Sequence, residues 1–121
     1  MAKADVEVLV VSWLNSILAT GWAAHGDKPK TAPAQYVVVD RTGGPREAMV
    51  LDRAEILIEV YSKTSRNAAK NVAYDIGDRI IELEAYNENI THASINSIVN
   101  LDDTLAQYHR YQVYCDVSCR R

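Results

Sequence analysis

Phenylalanine is absent, so seven tyrosines and two tryptophans supply every aromatic side chain. Tyrosine suits surfaces that are dry when assembled and wet when free, and it serves equally at the border of a core. Tyr36, Tyr61, Tyr74 and Tyr111 fit either role. Only two cysteines occur, Cys115 and Cys119. Four residues apart on one expected strand, they lie about 13 Å from each other, too far to form a disulfide. No apolar run approaches the roughly 20 residues that cross a bilayer. The longest, 8–11, is preceded by Asp5 and Glu7, which do not suit a signal peptide, so a cytosolic chain with no membrane role is expected.

Charge of one sign is also lacking. Thirteen Lys and Arg stand against sixteen Asp and Glu, a net charge of −3. Binding of nucleic acid by counterion release needs clustered cations, so no dedicated basic groove is expected. The three histidines, His25, His92 and His109, fall on separate segments, and no His-x-x-x-His or Cys-x-x-Cys spacing unites metal ligands. Asp102-Asp103 with Asp40 or Asp52 offers carboxylates for a divalent ion, yet paired acids in a loop are ordinarily solvated. Ser12, Ser16 and Ser65 lack a nucleophile-elbow setting, and Gly43-Gly44 lacks a phosphate-loop context. Asn89-Ile90-Thr91 matches a glycosylation acceptor by chance. Neither a catalytic constellation, nor a metal site, nor a cofactor is expected.

What is present is one domain of 121 residues with 48% hydrophobic and 24% charged side chains, ordinary values for a globular chain. Val6, Leu9, Val10, Trp13, Leu14, Ile17 and Leu18 recur at helical spacing over 5–19, with Asp5 as N-cap and Gly21 as terminator. A polar loop, 25–33, leads into a strand at 35–41. A second strand, 53–61, alternates Ala54, Ile56, Ile58 and Val60 with Glu55, Leu57, Glu59 and Tyr61, which implies one wet face. Ser65 caps a helix whose stripe of Ala69, Val72, Ala73, Ile76, Ile80 and Leu83 runs to about Glu84. Gly77 inside it costs ~1 kcal/mol relative to Ala and implies close approach of a neighbouring backbone. The segment 90–99 reads as a weak strand, although Ile95, Ile98 and Leu101 also fit a helix. The run 107–118 alternates Tyr111, Val113, Cys115 and Val117 with Arg110, Gln112, Tyr114 and Asp116, a half-buried strand. The order α-β-β-α-β-β implies an α+β sandwich: a mainly antiparallel four-stranded sheet with both helices on one face.

The joint Thr42-Gly43-Gly44-Pro45-Arg46 tolerates tight bends, so the first two strands fold back as a hairpin with a long tip. The order Val37-Val38-Val39-Asp40-Arg41-Thr42-Gly43-Gly44-Pro45, then Val50-Leu51-Asp52-Arg53-Ala54, resembles the tail-terminator, or tail-completion, proteins of long-tailed bacteriophages. The likeness extends from the first helix to the closing Tyr108-His109-Arg110-Tyr111-Gln112-Val113.

That resemblance implies a virion structural protein at the head-proximal end of the tail. It would be a homo-oligomer, a hexameric ring, that halts polymerisation of the major tail tube protein and receives the head-completion or neck protein. DNA would pass through without specific binding. A head-tail connector or stopper is the nearest alternative, and a small cytosolic ligand-binding or enzymatic α+β domain is the alternative from another class. For a ring, the hairpin tip with Arg41, Gly43, Gly44, Arg46 and Glu47 is a candidate contact with a neighbour or the tube. Arg66 and Lys70 at the start of the second helix, with Glu82 and Glu84 at its end, oppose the helix macrodipole and are candidates for head-to-tail pairing, or simply solvated. Asp75, Asp78, Asp102 and Asp103 are candidates for an acidic lumen past which phosphate slides.

Overall fold

A computed structural model describes residues 6–31, 33–43, 46–47 and 51–120. Helix α1 (Val6–Ile17) is followed by β1 (Ala24–His25), β2 (Gln35–Gly43), β3 (Arg46–Glu47) and β4 (Leu51–Ser62). Helix α2 (Arg66–Arg79) continues through a 3-10 turn (Ile80–Glu82) into α3 (Leu83–Tyr86), and β5 (Ile90–Asn100) and β6 (His109–Arg120) close the chain. The class is α+β, as the pattern implies. The expected four-stranded sheet is a correction in detail: the sheet has the order β1-β2-β4-β6-β5, and β3 pairs with β4 off that path. It is mixed because the two-residue β1 runs parallel to β2. The four long strands are antiparallel throughout.

Period-two burial fixes the layers. Val37 and Val39 of β2, Ala54, Ile56, Ile58 and Val60 of β4, and Tyr111, Val113, Cys115, Val117 and Cys119 of β6 form one buried face. Val10, Trp13 and Leu14 of α1, Ala69, Ala73 and Ile76 of α2, and Leu83 of α3 cover it. Both helices therefore lie on the same face, α1 over β1 and β2 and α2 over β4, β6 and β5. Ser65 caps α2 as the sequence implies, its Oγ accepting the Ala68 N–H at 3.1 Å. The proposed Asp5 cap lies outside the described residues. Gly21, at φ 96°, supplies the left-handed turn that reverses the chain after α1. Asn15 then ties β1 to the helix, its Oδ1 accepting the Ala24 N–H at 2.8 Å and its Nδ2 donating to the Ala24 carbonyl at 3.2 Å.

Strand β5 explains its own ambiguous pattern. Ile90, Ala93, Ile95 and Ile98 stand opposite Cys119, Val117, Cys115 and Val113, all on the helix-facing side. Their spacing of three, two and three is kept on one face by register shifts between Ile90 and His92 and between Ile95 and Ser97. Each bulge adds one residue and mimics part of a helical period.

The close approach at Gly77 is made by side chains rather than backbone. A Cβ there meets the Cδ1 atoms of Ile95 at 2.8 Å and Ile98 at 2.9 Å. Those methyls end flexible side chains on an edge strand. Gly77→Ala is therefore expected to stay within about 1 kcal/mol of the parent, the helix-propensity gain offsetting displaced methyls. Gly77→Leu should cost roughly 2 kcal/mol or more by forcing β5 away from α2, with both changes read by urea unfolding.

Candidate functional site

The second sheet face is not simply wet. Tyr36, Val38, Tyr61 and Tyr108 form a separate buried cluster at one end of it. Tyr36 and Tyr61 stack with ring centroids 4.6 Å apart, and Tyr108 meets both edge-on at 5.5 and 5.7 Å. Tyr108 Oη donates to the Pro33 carbonyl at 2.7 Å, pinning the loop before β2 over the rings. Lys28 lies over the Tyr61 ring and Lys63 over the Tyr108 ring. Of the tyrosines singled out from the sequence, Tyr36 and Tyr61 thus build a small second core, Tyr111 joins the main core, and Tyr74 is exposed. Tyr36 Oη is buried and has no hydrogen-bond partner among the described residues. Burial, then the neighbouring Tyr61 and Tyr108 hydroxyls, push its ionisation far above the ordinary phenol range.

The loop joining β5 to β6 is held by the two aspartates expected at a lumen. Asp102 accepts from Arg66 Nη2 at 2.7 Å, Asn100 Nδ2 at 2.9 Å and the Arg110 N–H at 3.3 Å. Burial raises its pKa, but the bonds from Asn100, Arg66 and Arg110 outweigh that, leaving the carboxyl below its usual range. Asp103 exchanges backbone bonds with Tyr108 at 3.0 Å and accepts the Ala106 N–H at 3.2 Å. Asp75 and Asp78 are exposed on α2, about 13 Å or more along its axis from Arg66, so the structure does not gather the four acids together.

The inverted charges of the second helix have partners within the chain. Arg66 binds Asp102, as above. The regular helix ends at Arg79, a basic residue in the last turn. Arg79 donates to both carboxylate oxygens of Glu82, at 2.9 and 3.0 Å. Glu84 accepts the Ala93 N–H of the edge strand at 3.1 Å. Lys70 instead lies on the surface beside Tyr74, its Nζ 6.0 Å from the ring centroid.

Arg41 turns back onto the hairpin. Its Nη1 and Nη2 donate to the two oxygens of Asp52 at 2.8 and 2.7 Å, and its Nε donates to the Gly43 carbonyl at 3.2 Å. Arg46 and Glu47 form β3 and pair with Asp52 and Leu51, so this part of the tip folds against β4 rather than projecting. Gly43 lies against Glu55, whose Oε2 is 2.8 Å from a Cβ built there. Gly44 lies outside the described residues. His25 is on β1 rather than in a loop, and His92 and His109 sit on β5 and β6. Among the described residues no group of three or more His, Cys, Asp or Glu is placed to hold a metal. Cys115 and Cys119 are free and buried, and burial pushes the Cys115 thiol up to about 12.

The surface feature that sequence reasoning missed is an apolar ridge on the outer flank of α2. Tyr74 is 46% exposed, Ile81 63% and Ile95 38%. Tyr74 lies on α2 and Ile81 in the 3-10 turn that follows it, and Gly77 between them admits the side chains of Ile95 and Ile98 from β5. At the other edge of the domain, Glu7, Val8, Val11, Ser12, Gly26 and Asp27 line an open cleft of about 390 Å³. No helix among the described residues is long and apolar enough to cross a membrane. No protein-family model matches the chain, and no curated protein matches it.

Two outcomes follow. Tyr36→Phe removes a buried hydroxyl without a partner and should raise stability by about 1 kcal/mol at neutral pH. Because the folded-state pKa of Tyr36 lies above its ordinary value of 10.0, the stability linked to its neutral form is present below pH 10 and is lost as pH rises further. The variant should therefore show a weaker alkaline loss, measured by denaturant unfolding across pH 8–12. Asp102→Asn tests the opposite limb: its depressed pKa supports the fold above the ordinary carboxylate range and loses that support as pH falls through the folded value, so the variant's stability should vary less below about pH 4.

Proposed function

We propose that the chain is a structural subunit of a long-tailed phage tail that closes into a ring at the head-proximal end of the tube. The ring ends tube polymerisation and offers the surface that joins the head. The likeness of residues 37–45 and 50–54 to tail-terminator proteins supports this reading. The single structural observation that carries it is the exposed ridge of Tyr74, Ile81 and Ile95 along an edge strand. Clustered apolar exposure of this kind marks a surface that another protein covers.

The work of such a subunit is mechanical. Its neighbours are further copies, the tube protein and the neck protein, and DNA threads the centre without a specific contact. An acidic lining lets phosphate slide where a basic one would retain it. Asp75 and Asp78 are exposed and remain suited to that lining. Asp102 and Asp103 are committed to shaping the loop after β5. The tip around Gly43 is a second surface for the tube, with its base clamped by the Arg41–Asp52 pair.

Electron microscopy of tails assembled with and without the chain tests the reading. Without it, tubes should run past their normal length, and adding purified chain should restore one length and a density at one end. Tubes of normal length that fail only to acquire heads would favour the neck connector instead. A ring whose lumen is dominated by Lys and Arg would overturn the acidic lining.

A further inference from the structure

The second core on the bare sheet face is closed by a connection that is itself lightly held. Residues 26–31 follow the two-residue β1, and among the described residues 27–31 make no backbone–backbone hydrogen bond. The start of the connection is fixed, because Asn15 grips Ala24 through both its side-chain oxygen and its nitrogen. Beyond that point Lys28 ties it down. Its Nζ lies 5.4 Å from the centroid of the Tyr61 ring and 3.8 Å from Asp103 Oδ2. Strand β2 stands between β1 and β4 in the sheet, so this reach carries the connection across the end of β2, where Tyr36 stacks on Tyr61. A second tie follows at Pro33, whose carbonyl accepts from Tyr108 Oη at 2.7 Å.

Both ties are weak in kind. The Lys28 side chain is 55% exposed, so water screens its ion pair and its contact with the ring. The Tyr108 bond is neutral, and water replaces such a bond at little net cost. What lies beneath favours release. Tyr36 Oη is buried without a partner among the described residues, and admitting water removes that penalty. On its other side the connection has room, since Gly26 and Asp27 line the open cleft against α1. The β4–β6 pairing, by contrast, is unbroken over twelve residues, so it belongs to the last part of the domain to open.

We infer that residues 26–31 form a strap, latched by Lys28, that opens as a unit and uncovers Tyr36, Tyr61 and Tyr108 while the β4–β6 pairing and the helical layer stay intact. Closed, the three rings are a second core. Open, they are an aromatic surface at one end of the sheet, with hydroxyls suited to water. The strap is a device of the fold and stands or falls apart from the tail reading.

Thiol labelling tests it. Val38→Cys places a thiol in the tyrosine cluster, and native Cys115, buried in the main core, is the reference within the same chain. Mapped by mass spectrometry, residue 38 should be labelled about tenfold or more faster than Cys115, at a rate that low urea does not change, whereas labelling of Cys115 should quicken with urea as global unfolding does. Lys28→Ala should raise the rate at residue 38 severalfold and leave that of Cys115 alone. In the chain with no added cysteine, nitration by tetranitromethane reads the same opening at Tyr61 and Tyr108 against exposed Tyr74, and Lys28→Ala should raise the first two relative to the third. Equal labelling of residue 38 and Cys115 with one urea dependence overturns the strap. So does a Lys28→Ala change that leaves both residue 38 and the nitration of Tyr61 and Tyr108 unmoved.

Discussion

The twelve-residue pairing of β4 with β6 is the constraint on which the rest of the domain depends. It runs from Leu51 opposite Arg120 to Ser62 opposite His109 without a register shift. Because side chains alternate every residue, this unbroken register decides at once which side chains face the helices. Ala54, Ile56, Ile58 and Val60 meet Val117, Cys115, Val113 and Tyr111 across the pair. One continuous apolar face results, and α1 and α2 must cover it. The outer strands adapt to this spine with bulges, one in β2 between Arg41 and Gly43 and two in β5.

The polar contacts follow from that frame. Arg41 and Asp52 close the base of the hairpin with a bidentate pair whose side chains are mostly shielded from water, so the pair is geometrically specific in a way that surface pairs are not. Asp102 and Asp103 shape the opposite connection, between β5 and β6. The Tyr36–Tyr61–Tyr108 cluster then seals one end of the face that the helices leave bare. The two long hairpins are thus fixed by charge at their connections and by rings across the sheet. The exposed Tyr74, Ile81 and Ile95 lie outside this frame, on the flank of the helical layer.

Much of this was legible in the sequence. The alternation of β4 and β6 gave both strands and their buried faces, and Ser65 with the stripe of α2 gave the second helix and its cap. The obscured parts have physical causes. Bulges broke the period of β5, and a two-residue β1 carries no pattern at all. Tyr61 read as wet because its cover, Tyr36 and Tyr108, comes from segments far away in the chain. The charge reading was the least legible part of the site. The partners of Arg66 and Glu84 lie on the β5–β6 loop and on β5, and Arg79 is helix-terminal only because a 3-10 turn follows it. Tyr74 and Ile81 were visible as residues off the main stripe, but their joint exposure required the placement of β5 beside Gly77.

The proposed role places contact with other molecules on the exposed flank of α2 rather than on the bare sheet face. Hydrogen–deuterium exchange, comparing the isolated chain with the chain bound at tail ends, tests that most directly. New protection is expected to concentrate in residues 74–82 and 94–100, with the central β4–β6 amides unchanged. Protection confined to other surfaces, with these segments exchanging as in the free chain, would contradict it.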